Sequence, residues 1–115
     1  MVKKFTIKQV YEAIAKNGLR WEKETFWSEA RDKDGKPLYA CAIGQAAWNL
    51  EVDPHALHSA MTIPVDRRDW VYLAGGIEDF NDNKADSYEE VVAFAKEYLA
   101  PYFDTEIEIW EGEND

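Results

Sequence analysis

Apolar positions along this chain switch between helical and alternating spacing, and each switch marks the edge of an element. Ile7, Val10, Tyr11 and Ile14 recur three and four residues apart behind Thr6 and Gln9, a pair able to cap each other's amides. Asn17 and Gly18 follow as stop signals. The opening MVKKFTIKQVYEAIAKNG is therefore expected to run directly into an amphipathic helix. From Leu19 to Cys41 the spacing changes. LRWEKETFWSEA is aromatic and roughly alternating, DKDG has turn chemistry, and KPLYAC is a second short extended run. A β-hairpin or hairpin-like loop is predicted there.

Small residues then carry a helix from Ala42 to Leu50, and Asp53-Pro54 is an N-cap followed by proline at the first helical position. That short helix is expected to last to about Met61 and to be broken by Pro64. Asp66 is the expected cap of the next, whose apolar face is Trp70, Leu73, Ala74, Ile77 and Phe80. Gly75 and Gly76 interrupt it, marking either a close helix contact or a break. Ser87 with Glu90 forms a second capping box ahead of Val91, Val92, Phe94, Ala95, Tyr98 and Leu99, and Pro101 closes that helix. TEIEIW alternates once more, as an edge strand or as an acidic tail with one aromatic anchor.

The predicted fold class is α+β and predominantly helical: four to five helices, a short β-hairpin and a C-terminal segment able to add an edge strand. At 115 residues, with 46% hydrophobic and 14% aromatic residues, the chain has the material for one packed core. Residues 1–103 are expected to form the compact domain and residues 104–115 an acidic extension. The tail is expected to pair against the 19–41 region, where Lys and Arg offer a complement, or else to stay available to a basic partner.

Charge sharpens the picture because it is polarised. Residues 1–36 hold nine Lys/Arg and six Asp/Glu, for +3, whereas residues 37–115 hold four and seventeen, for −13. The last twelve residues carry six acids and no base. Such a field repels phosphate backbones, so direct nucleic-acid binding is disfavoured; a basic protein, or a surface that normally takes nucleic acid, is favoured. No window approaches the roughly 18 uncharged apolar residues of a membrane span, and no signal-peptide apolar core is evident, so a cytoplasmic location is expected. The single cysteine fits a reducing compartment.

Three patterns carry candidate chemistry. Cys41 stands at a helix start, where the dipole favours thiolate, and a cysteine-dependent enzyme using His55 or His58 is one alternative. A nine-residue helix of about 13 Å separates the thiol from those histidines, and no oxyanion motif accompanies them, so Cys41 is expected to be a small buried core residue without a histidine in reach. Zinc is a weaker option: Asp53, His55, His58 and Cys41 lack the paired, repeated spacing of zinc ligands. The third pattern is DFNDNKADSYEE. Counted as a twelve-residue calcium loop it sets Asp79, Asn81, Asn83, Ser87 and Glu90 at positions one, three, five, nine and twelve. Lys84 stands where the loop needs glycine and Asp86 where it needs an apolar residue, so capping by Asn81, Asp82 and Ser87 is the preferred account.

The order of an Asp-Gly turn, CAIGQAA, a helix running into FND, and SYEEVVAF resembles small bacteriophage and actinobacterial proteins of unknown function. The residues carrying the resemblance are Cys41, Ile43, Gly44, Asn81, Asp82, Ser87, Glu90, Val91 and Val92, within residues 32–99. It implies a mostly helical fold and a phage or prophage origin, and no activity. The stretch Asp53 to Arg68 and the acidic end after Pro101 depart from the pattern. On the residues, the signature is structural: Gly44 admits close approach of the hairpin, and Asn81 and Asp82 satisfy helix-end groups.

The expectation is therefore a non-enzymatic accessory protein without a cofactor, binding a basic host protein and neither nucleic acid nor membrane directly. Trp110, Ile109, Glu108 and Glu111 are the expected contact residues, as an aromatic anchor inside a charged rim. A weak calcium module at Asp79, Asn81, Asn83 and Glu90 is the remaining alternative.

Overall fold

The capping pair at Thr6 and Gln9 is made in both directions: the Thr6 amide donates to Gln9 Oε1 at 2.8 Å, and the Gln9 amide to Thr6 Oγ1 at 3.2 Å. This computed structural model describes residues 2–16, 18–64 and 70–111, so Asn17 and Asp66, assigned above to helix ends, lie outside the described residues. Helix α1 spans Ile7–Lys16 and buries Ile7, Val10 and Ile14 of the stripe that its spacing predicted, with Ala13 in addition and Tyr11 half-buried. Helix α2 (Ala42–Leu50) and helix α3 (Pro54–Ala60) begin where the sequence placed them, and Asp53 caps α3 by accepting from the Ala56 amide. Helix α4 is Leu73–Asn83 and helix α5 is Tyr88–Leu99, followed by a 3₁₀ turn at Ala100–Tyr102. The fold is α+β, with short strand pairs around this helical body.

Helices α1 and α2 pack together at the centre, with α5 against α1 and α4 against α5 and α2. Ile43, Leu57, Leu73, Ile77 and Leu99 close the core from four different helices. Each such side chain contributes roughly 1.5–3 kcal/mol relative to exposure. The paired glycines of α4 mark a close contact and not a break. A Cβ on Gly76 would come 2.3 Å from the Tyr98 hydroxyl, and one on Gly75 2.8 Å from the Tyr72 ring.

Four expectations are corrected. Before α1, residues Val2–Thr6 form strand β1, an element not expected there, which gives way to the helix at Ile7. VKKFT is too polar and too alternating to extend the helical stripe, and it finds a partner at the other end of the chain. That partner is the tail. Strand β6 is Glu106–Trp110; it runs antiparallel to β1 in the register Val2↔Trp110, Lys4↔Glu108 and Thr6↔Glu106. The tail therefore does pair, but with β1 and not with residues 19–41, and Ile107 and Ile109 enter the core. As far as residue 111 it belongs to the same folded body and is not an appended extension.

The 19–41 region is not a simple hairpin. Strand β2 (Arg20–Trp21) and strand β3 (Tyr39–Ala40) pair in parallel, so the chain between them must cross over. Within the crossover, Arg31 and Pro37 form a single antiparallel bridge around a DKDG turn in which Gly35 has φ +81°. Lastly, Trp70 does not begin a helix. Strand β4 (Thr62–Pro64) pairs antiparallel with strand β5 (Trp70–Tyr72), and this pairing leaves Trp70 64% exposed. Three extended residues with alternating exposure fit a strand beside β4 better than a first helical turn.

Candidate functional site

The CAIGQ segment forms the floor on which the crossover rests. A Cβ at Gly44 would lie 1.7 Å from the Phe26 carbonyl oxygen, so the loop touches the α2 backbone as the glycine predicted. Trp27 Nε1 donates to the Gly44 carbonyl at 2.9 Å, and the Cys41 amide donates to the Thr25 carbonyl at 2.9 Å. Gln45, fully buried, accepts from the Gly18 and Leu19 amides and donates to the Leu19 carbonyl. Asn81, also fully buried, accepts from Trp21 Nε1 at 2.8 Å and from the Ala42 amide at 3.1 Å, satisfying the start of α2. Asp82 Oδ1 accepts from the Glu24 amide and from Asn81 Nδ2. The Asn-Asp pair thus satisfies backbone groups of α2 and of the crossover loop. Glu24 itself stands at φ +62°, and its amide bond to Asp82 helps to hold it there.

Cys41 is 4% exposed. Burial pushes its thiol up from the ordinary 9.0 to about 11; the Gly44 and Ile43 amides pull less strongly the other way, and Asp82 and Glu78 add to the rise. The residue borders a cleft of about 280 Å³ together with Glu24, Thr25, Phe26, Glu78 and Asp82. Negative charge at that cleft opposes a thiolate. The histidines make their contacts with other residues of the same cleft. His58 Nε2 lies 2.5 Å from Glu78 Oε1, the Tyr72 ring meets the same imidazole edge-on, and His55 packs edge-on against Phe26 at 4.8 Å. Cys41 is a core residue at this site, as expected from its spacing.

The calcium alternative is corrected by the secondary structure. Asp79, Asn81 and Asn83 lie within α4, where Asp79 and Asn83, four apart, share a face and Asn81 points away from it into the core, so the three do not converge as a loop would make them. Asp79 accepts from Asn83 Nδ2 at 3.0 Å and pairs with Lys84 at 3.3 Å, contacts that hold its carboxyl below the usual range. Asn81 is consumed by the core contacts above. Ser87 caps α5 by accepting from the Glu90 amide at 3.3 Å, while Glu90 accepts from the Asp86 amide at 2.8 Å. Among the described residues, no group of three or more His, Cys, Asp or Glu side chains is arranged to hold a metal ion.

The tail arranges its candidates by strand period. Ile107 and Ile109 point into the core, and Glu106, Glu108 and Trp110 point outward. Ile109, expected above to meet a partner, is 0% exposed and is a core residue instead. Glu111, also expected there, is held within the molecule: its carboxylate accepts from the Asp53 amide at 2.7 Å and lies 3.7 Å from Lys3 Nζ. Trp110 is 68% exposed, with exposed Val2 opposite it on β1. Glu108 faces Lys4 at 3.9 Å, both half in solvent. Beside them Ala56, Ser59 and Ala60 of α3 complete a hollow of about 380 Å³ lined also by Glu108 and Trp110. Glu106 and the α3 residues were missed in the sequence. Strict alternation in TEIEIW carries the signal for Glu106; no sequence signal brings α3 beside it.

No helix among the described residues is long and apolar enough to cross a membrane. Comparison with protein families, curated proteins and solved structures finds no match for the chain.

Proposed function

We propose that the protein is a small acidic binding protein, without catalytic activity of its own, that engages a basic protein partner through the outer face of the β1–β6 ribbon. One observation carries this: Trp110 is held 68% exposed on a strand whose alternate residues are locked in the core. A large indole has only two side-chain torsions to immobilise on binding, and it stands on one face with the carboxylates of Glu106 and Glu108. The net charge of −10 adds long-range attraction for a basic surface and repulsion for nucleic acid. The free Cys41 is compatible with a reducing compartment, so the proposal places the protein in the cytoplasm. A phage context, with the partner a host protein, rests on the sequence resemblance alone.

Affinity capture from bacterial lysate at low and high salt tests the proposal, comparing the unaltered chain with a Trp110→Ala, Glu108→Lys double variant. The expected result is a captured set enriched in basic proteins, reduced by salt and lost in the double variant. Capture that is indifferent to both changes refutes the proposal.

A further inference from the structure

We infer that the hollow between α3 and Trp110 receives an arginine side chain of the partner, an assignment that rests on the β1–β6 face being the binding surface. The walls define the occupant. Ala56 and Ala60 offer a shallow apolar floor, Trp110 offers an exposed indole, and Glu108 stands at the rim with Ser59. An aliphatic stem ending in a cation matches that sequence of surfaces. Glu108 is free to exchange partners: its ion pair with Lys4 spans 3.9 Å between two half-exposed side chains, which makes it weak and readily replaced. Guanidinium fits better than ammonium for two reasons. Its planar face stacks on an indole, and its fork of N–H donors meets a carboxylate with two parallel bonds, whereas an ammonium is a compact, more strongly hydrated point charge. The hollow is open and strand pairing fixes the backbone that carries the indole, so little backbone rearrangement is needed on binding.

The test is a titration of ¹⁵N-labelled protein with an end-blocked tri-arginine peptide, following the indole N–H signals of the five tryptophans. Loss of one signal in Trp110→Leu identifies Trp110. The expected result is a saturable shift of the Trp110 signal while Trp48, which packs edge-on against Trp27, stays in place. Glu108→Gln is expected to weaken binding about fivefold or more, and a blocked tri-lysine peptide to bind at least about fivefold less tightly. Both side chains altered are exposed, so both variants should fold. No shift at Trp110, or equal affinity for tri-lysine, overturns the arginine assignment. If Trp110-dependent capture of basic proteins survives that result, the face binds by other chemistry; if capture fails too, the face is not a binding surface.

Discussion

At the residue scale, Cys41 and Asn81 show how much of the candidate chemistry is structural. A thiol held at about 11 against an ordinary 9.0 keeps its proton in the folded chain after the unfolded chain has lost it. Below the unfolded value both states are protonated and the residue is neutral to stability; as pH rises from 9.0 towards 11 the unfolded state is favoured, by about 2–3 kcal/mol at the end of that window. Tyr88, raised chiefly by burial and secondarily by Cys41, acts in the same direction. Thermal unfolding followed across this range should show a falling melting temperature, with a shallower slope in Cys41→Ala. An equal slope in the variant contradicts the burial account. The thiol should also react slowly with an aromatic disulfide reagent until the chain is denatured. Asn81→Ala removes the acceptor for two donors, Trp21 Nε1 and the Ala42 amide. It should cost more than about 2 kcal/mol in urea unfolding, because each buried donor left unsatisfied costs about 1–3 kcal/mol.

At the scale of the element, strand β6 puts core side chains and the proposed contact residues on opposite faces within five residues. Ile109→Ala opens a cavity in the core and should lower stability by about 2–5 kcal/mol. Trp110→Ala, at an exposed position one residue on, should change it by no more than about 0.5 kcal/mol. A Trp110→Ala cost comparable to that of Ile109→Ala would mean that the indole is part of the core and not an available contact. Helix α2 depends on a close backbone approach in its first turn. Gly44→Ala drives a methyl into the Phe26 carbonyl and should displace the crossover loop, at a cost of about 3 kcal/mol. A crystal structure of that variant with the loop unmoved would disprove the close-approach reading.

At the scale of the molecule, pairing of β1 with β6 closes the fold with contacts between positions separated by most of the chain. Loop-closure entropy opposes such a pairing until the helical body has brought the two strands near each other. Deleting residues 1–5 should expose the β6 edge, and truncating after Tyr102 should strip the partner from β1; each is expected to cost more than about 1 kcal/mol through lost burial and pairing. Because both remove the same interface, combining them should cost much less than the two single losses added together. Strict additivity in denaturant unfolding would show that the strands stabilise the body independently of each other.

The elements most legible in the sequence are those whose signals are local. Thr6 with Gln9, Asp53 with Pro54, and Ser87 with Glu90 place three helix starts because a cap and the amides it satisfies lie within four residues. Gly44 was likewise legible as a point of close approach, and Cys41 as a core residue. What remained for tertiary structure to decide was pairing. TEIEIW declared an alternating strand, but nothing local distinguishes VKKFT from the 19–41 region as its partner; the position of the helical body does. Residues Arg20–Trp21 and Tyr39–Ala40 carry extended character without stating that their pairing is parallel, since the direction depends on where the crossover is anchored. Trp70 fitted a helical stripe until strand β4 offered hydrogen bonds that α4 could not extend to it. The candidate site is divided in the same way. Period-two spacing in TEIEIW already separates Glu108 and Trp110 from Ile109, a separation that the expectation of Ile109 as a contact residue overlooked, whereas the α3 floor beside them came from packing, because it joins side chains some fifty positions apart along the chain.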